Sequence, residues 1–196
     1  MSGWEIAAVL LAIVYLLLAV RQNSWCWYCA FASTAIYTVL FWDVQLLMES
    51  ALNVYYMAMA VYGWWQWRHG GRNDNPLPVR RWRWRQHLLT GAGILAITLI
   101  SGSLLNHFTE AAWPFVDSFT TWASVITTFM VARKVLENWL YWMVINSTSI
   151  VIFIDRELYL TALLLVSYLI ISIFGLIRWQ RDYRQAQTRQ IEPAVA

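Results

Sequence analysis

The chain reads as long apolar runs separated by short polar breaks. Runs near 4–20, 25–42, 45–67, 87–106, 117–132, 138–154 and 157–177 approach the roughly 20 mostly apolar residues that a helix needs to cross a bilayer. This pattern predicts an all-α membrane protein with seven transmembrane helices. Trp4, Trp25, Trp42, Trp64, Trp65, Trp67, Trp113 and Trp179 fall at the ends of these runs, where amphipathic rings meet the lipid headgroups. The first run is read as a permanent helix and not a cleaved leader, because Trp4 and Glu5 open it with no basic stretch before them.

Charge orients the bundle. The connections after helices 1, 3, 5 and 7 hold thirteen of the fourteen Lys and Arg residues, from Arg21 to Arg189. The opposite connections hold only Arg156, beside Asp43, Glu110, Asp117, Asp155 and Glu157. Because cytoplasmic loops are enriched in Lys and Arg, the N-terminus is expected outside and the C-terminus in the cytoplasm. Position 74 is then cytoplasmic and position 110 external. The stretch 68–86 is the one obvious linker, and its Arg80-Arg-Trp-Arg-Trp-Arg run suits a contact with anionic lipid better than one with nucleic acid.

Sliding the chain along itself until Arg21 meets Arg133 lays helices 1–3 on helices 5–7 without a gap. In the same register Trp27 falls on Trp139, Phe41 on Phe153, Asp43 on Asp155, Tyr56 on Tyr168, Gly63 on Gly175 and Trp67 on Trp179. Two three-helix units joined directly would point in opposite directions, and an extra helix between them restores a common orientation. The expected architecture is therefore 3+1+3 with parallel repeats. Residues 1–67 form the first repeat, 68–112 the linker and central helix, 113–182 the second repeat and 183–196 a cytoplasmic tail. Parallel repeats of this kind occur in transporters that hold a solute near midplane between them.

Composition narrows the chemistry. Charged residues make up 13% of the chain against about 25% in soluble domains, and the pI near 9.0 reflects basic loops. There is no phosphate-binding GxxxxGK[ST] loop. His69, His87 and His107 lie at expected helix ends or loops, and no cluster has metal-ligand spacing, so neither metal nor cofactor is expected. Cys26 and Cys29 form a CxxC that could serve redox chemistry but reads more simply as two small apolar residues on a helix.

Polar residues inside the spans are costly and mark a pathway. On helix 6, Trp139, Trp142 and Asn146 lie within about 60° of arc, with Asn146 about 12 Å in from the cytoplasmic end. Hydropathy places Trp139 near the membrane surface. Helix 3 carries Glu49, Asn53 and Tyr56 on one face, and Glu49 is the sole candidate for proton coupling. Helix 5 adds Thr120, Thr121, Ser124, Thr127 and Thr128, and helix 2 adds Ser33, Thr34 and Thr38. An aromatic cage with amides and hydroxyls would orient a small ring-bearing solute, a cationic one especially. The same residues could instead be interhelical glue, and a membrane redox or scaffold protein is the more distant alternative.

The segment Arg133-Lys-Val-Leu-Glu-Asn-Trp-Leu-Tyr-Trp-Met-Val-Ile-Asn146 resembles the helix 5–6 signature of PnuC-type vitamin transporters. Tyr62-Gly-Trp-Trp-Gln-Trp-Arg68 is similar to the end of their third helix, and Asp117-Ser to the start of their fifth. The likeness spans essentially residues 2–182. It implies a SWEET-like bundle in a bacterial inner membrane and no enzymatic activity. It also implies facilitated diffusion of nicotinamide riboside or a related precursor, trapped afterwards by phosphorylation. Thiamine is the closest alternative substrate. By position, Trp139, Trp142 and Asn146 would contact the solute. Asn53 and Thr128 stand where many members carry Gln; with Tyr56, Glu49 and Thr121 they complete the expected binding set. The expected partners are a small cationic vitamin, the lipid bilayer and, for assembly, a homotrimer, with no nucleic acid.

Overall fold

The structure, a computed structural model, describes residues 3–43, 47–71, 75–108, 113–155 and 157–191. The described residues contain seven α-helices: α1 (Gly3–Val20), α2 (Cys26–Asp43), α3 (Leu47–His69), α4 (Trp84–Phe108), α5 (Pro114–Ala132), α6 (Asn138–Asp155) and α7 (Tyr159–Ile191). Most boundaries fall close to those read from the hydropathy. Helix 5 starts earlier because Pro114 suits the first turn, where its missing N–H costs nothing. Helix 7 continues well past its apolar run, through Ile191. Residues 178–191 contain neither Gly nor Pro, and Gln187 donates to Tyr183 at i,i+4, so nothing stops the helix once it leaves the apolar stretch.

Large apolar side chains on the outer faces stay uncovered, with Leu89 74%, Val151 66% and Leu163 63% exposed. A water-soluble chain could not sustain such a surface, and a bilayer covers it. Hydroxyls within the helices mostly donate back to the carbonyl four residues earlier, as Thr34, Thr38, Thr127 and Thr128 do. Helices α1, α4 and α5 and the Thr161–Thr188 part of α7 are long and apolar enough to cross a membrane. In α2, α3 and α6, groups such as Ser33, Thr34, Asn53, Asn138 and Asn146 lower the hydropathy.

Six helices close a ring in the order α1, α2, α3, α5, α6, α7, with α7 returning to α1. Helix α4 packs on α5 outside it. Three helices end with a non-glycine residue in the left-handed region: Gln22 (φ 55°), Lys134 (φ 49°) and Glu157 (φ 59°). Each end is closed by a pair of amide bonds to orphan carbonyls. Gln22 N–H donates to Ala19 and Asn23 N–H to Leu18; Lys134 and Val135 do the same to Val131 and Met130, and Glu157 and Leu158 to Ile154 and Phe153. The first two turns lie 112 residues apart and match bond for bond.

The linker crosses the basic end of the bundle and binds the α5–α6 turn. Arg80 N–H donates to the Lys134 carbonyl (3.0 Å), Leu136 N–H donates back to Arg80 (2.8 Å), and the Arg80 guanidinium reaches the Arg133 carbonyl (2.8 Å). Buried Glu137 accepts from Arg81 (2.9 Å) and from the Trp82 amide (3.2 Å). A charged carboxylate at the start of α6 also complements the helix dipole there.

Candidate functional site

A cavity of about 320 Å³ lies inside the ring, and all six ring helices contribute to its wall. Helix α1 supplies Ala12, Tyr15 and Leu16; α2 supplies Trp27, Ala30, Ser33, Thr34 and Tyr37; α3 supplies Tyr56. From the other side come Ser124 and Thr128 of α5, Trp142 and Asn146 of α6, and Tyr168 and Ser172 of α7. The wall holds aromatic rings, one carboxamide and hydroxyls, and none of its residues is Asp, Glu, Lys, Arg or His. Such a chamber can stack a flat ring and hydrogen-bond hydroxyls, but offers no counter-charge to an anion.

Five pairs of wall positions stand 112 residues apart in the chain: Ala12 and Ser124, Leu16 and Thr128, Ala30 and Trp142, Thr34 and Asn146, Tyr56 and Tyr168. The pairs are alike in place, and all but the last differ in chemistry. The α5–α6 side carries the indole and the amide where the α1–α2 side carries Ala30 and Thr34. The wall's only carboxamide therefore stands on one side of the chamber.

Of the residues singled out from the sequence, Trp142, Asn146, Tyr56 and Thr128 are brought together on this wall. Trp139, Asn53, Glu49 and Thr121 are not. Trp139 lies one turn nearer the basic end, 1% exposed, with its ring against Gly175 and edge-on to Trp179. Asn53 is buried one turn above Tyr56 and donates to the Glu49 carbonyl (2.9 Å), while Glu49 is exposed at the start of α3. Thr121 is exposed; it shares a face with Thr128 but sits about 10 Å nearer the start of α5. The wall also contains Tyr15, Tyr37, Tyr168 and Ser172, which the sequence reading left out. Tyr168 was within reach, since the internal repeat lays Tyr56 on it.

A second hollow of about 340 Å³ lies between α4, α5 and α6. Leu95, Leu140 and Val144 line it and are also exposed on the outer surface, and its only polar side chains are Thr98 and Tyr141. It is a groove on the lipid face without convergent polar groups, so it does not compete as the solute site. Cys26 and Cys29 are free thiols, Cys26 fully buried. Among the described residues no group of three His, Cys, Asp or Glu could hold a metal ion.

At the basic end Lys134 is 6% exposed, with its ammonium 4.7 Å from the centre of the Trp67 ring. Burial pushes this ammonium down to about 8, with Cys26 and Asp182 acting against the shift. The unfolded chain keeps the proton up to about 10.4, so raising the pH from about 8 to 10 favours the folded state through this group. The wild type is accordingly expected to gain thermal stability relative to Lys134→Met across that interval. Midpoints from tryptophan fluorescence in detergent micelles measure this, and parallel curves for the two proteins would refute the assignment.

A ring of helices with an outer apolar coat and an uncharged polar chamber defines a membrane transport protein of the all-α, multi-pass class. The nicotinamide mononucleotide transporter family model matches residues 2–181, and the chain belongs to that family. It is therefore a multi-pass transporter of a bacterial inner membrane, in a family that moves small vitamin-type solutes, and not an enzyme. The chain is 25% identical to the nicotinamide riboside transporter PnuC of Escherichia coli, in an alignment covering 81% of this chain and 77% of that one. It is 22% identical to the riboflavin/roseoflavin transporter RibM of Streptomyces davaonensis, over 95% of this chain and 89% of that one. A crystal structure of the vitamin B3 transporter PnuC has the same fold, with a TM-score of 0.74 at 21% identity, covering 94% of this chain and 83% of that one.

Proposed function

We propose that the protein is a seven-span uniporter that carries nicotinamide riboside inward by facilitated diffusion, after which phosphorylation in the cytoplasm traps it. The observation that carries this reading is the chamber of Trp142, Asn146, tyrosines and hydroxyls with no ionised side chain in its wall. Aromatic faces favour a flat cationic ring, and the amide and hydroxyls suit a ribose. A phosphate would be buried with no base to neutralise it, at a cost of several kcal/mol. No carboxylate or histidine in the wall could take up a coupling proton. The chamber suits thiamine, also a flat cation, on the same grounds, and the likeness to a riboflavin transporter adds a third solute to the comparison.

In the proposed architecture residues 1–67 and 113–182 are parallel repeats around a linker and central helix at 68–112, and 183–196 are cytoplasmic. The matching turns and the five paired wall positions support it. The N-terminus lies outside, the basic end faces the cytoplasm, and three copies assemble. Trp142, Asn146, Tyr56 and Thr128 contact the solute. Trp139 supports the chamber from the cytoplasmic side, and Glu49, Asn53 and Thr121 form a polar approach from outside.

Uptake by proteoliposomes without ATP or ion gradients is the test. Saturable entry of nicotinamide riboside is expected, with the mononucleotide competing at least about 100-fold more weakly. Failure of nicotinamide riboside, thiamine and riboflavin alike to enter sinks the reading. Impermeant labelling of single cysteines placed at 74 and 110, both outside the described residues, should find the first cytoplasmic and the second external.

A further inference from the structure

We propose that Trp67 and Trp179 are the gating residues at the basic end of the chamber, each latched by one hydrogen bond across the ring; this rests on the transport reading. Four indoles make an unbroken array. Trp27 meets Trp67 edge-on (5.4 Å between centroids, 83°), Trp67 meets Trp179 (5.9 Å, 62°), and Trp179 meets Trp139 (5.4 Å, 90°). None is more than 2% exposed. Trp27 belongs both to this array and to the chamber wall, so the array is the chamber's floor. Just beyond it lie Lys134, over Trp67, and Gln22, which donates to Asp182 (2.6 Å). A solute leaving toward the basic end must pass between these rings.

The latches sit where the two halves of the ring meet. Trp67 Nε1 of α3 donates to the Val131 carbonyl of α5 (3.0 Å), and Trp179 Nε1 of α7 donates to the Ala19 carbonyl of α1 (3.1 Å). Donors and acceptors are both equivalent pairs in the internal repeat. Among the described residues the helices of the two halves meet only as α3 with α5 and α7 with α1, and each of these seams carries one of the two bonds at its basic end. The other two indoles behave differently. The Trp27 and Trp139 N–H groups have no partner among the described residues, and their rings lie against Gly63 and Gly175. They are held by packing alone, with no hydrogen bond for an opening to break. The division of labour is two indoles that latch and two that pack.

Cys26 reports on this floor, being fully buried within the same cluster as Trp27 and Trp67. In a Cys29→Ser background it is the sole thiol. An impermeant methanethiosulfonate reagent, applied without solute, should modify it slowly in that background. Trp67→Phe and Trp179→Phe keep a ring and remove the donor, and each should speed modification about tenfold, the double variant more. Trp65→Phe, on the exposed side of the same helix end, should leave the rate unchanged. An unaltered rate in the double variant, or an equal rise with Trp65→Phe, overturns the gate. If the double variant does not fold, Trp67→Phe alone decides against the same control. Uptake measured in parallel keeps the ideas apart. Accelerated labelling with no solute carried by the wild type leaves the two latches standing as what closes the basic end and removes the transport reading, whereas normal wild-type uptake with unaltered labelling removes the gate.

Discussion

Trp142→Ala is expected to weaken solute binding by about 2–3 kcal/mol, roughly 30- to 150-fold in Kd, while leaving the protein folded. Its indole is the largest side chain that the α5–α6 side presents to the chamber, and the corresponding position on α2 is only Ala30. No ring at the matching position of the other half can therefore substitute for it. Trp142 packs at the edge of the core cluster, unlike the fully buried indoles of the floor, so its loss opens the chamber more than it unpacks the bundle. Asn146→Leu should follow with about 1–3 kcal/mol, because an apolar side chain there leaves a polar group of the solute buried without a partner. Equilibrium binding to purified protein checks both. Unchanged affinity in the two variants would place the solute elsewhere.

The second large effect concerns packing. Gly63→Ala with Gly175→Ala is expected to lower the thermal midpoint by roughly 5–10 °C. A methyl group at 175 would stand 2.6 Å from ring atoms of Trp139, and one at 63 would overlap the Trp27 ring. Neither indole can retreat toward the other rings, since Trp67 and Trp179 hold their far edges. Alanine gains about 1 kcal/mol of helix propensity per site, but overpacking a rigid core costs about 1–3 kcal/mol or more, so the clash wins. Gly93→Ala is the control, because a methyl there meets open space and only the propensity gain remains. Should the double variant melt like Gly93→Ala, the close ring-to-helix packing is not what holds the floor together.

Both effects trace to residues visible in the sequence, though with unequal clarity. Trp142 and Asn146 could be read from helical spacing alone, since a step of about 1.5 Å and about 100° per residue keeps them on one stripe near midplane. The same logic put Glu49 and Asn53 with Tyr56, and Thr121 with Thr128. Spacing fixes a face, however, not a depth. Only Tyr56 and Thr128 of those five reach the chamber, because its height along each helix depends on where the other helices narrow the ring. Trp139 illustrates the same point from the basic side. It shares the stripe but serves the floor, for a reason that lies on another helix, at Gly175. Tyr15 and Tyr37 carried no signal of this kind, sitting singly in apolar runs where an inward and a lipid-facing tyrosine look alike.

What the sequence determined by itself was the membrane class and the positions of the helices. Apolar run length is a local property, legible in the order of residues. Which six helices close the ring, the exclusion of α4 and the height of the chamber were decided only by tertiary structure. So was the meeting of four tryptophans from α2, α3, α6 and α7 in one array. Those features depend on which faces of different helices fit against one another, and shape complementarity between distant segments is not written in the period of any one of them.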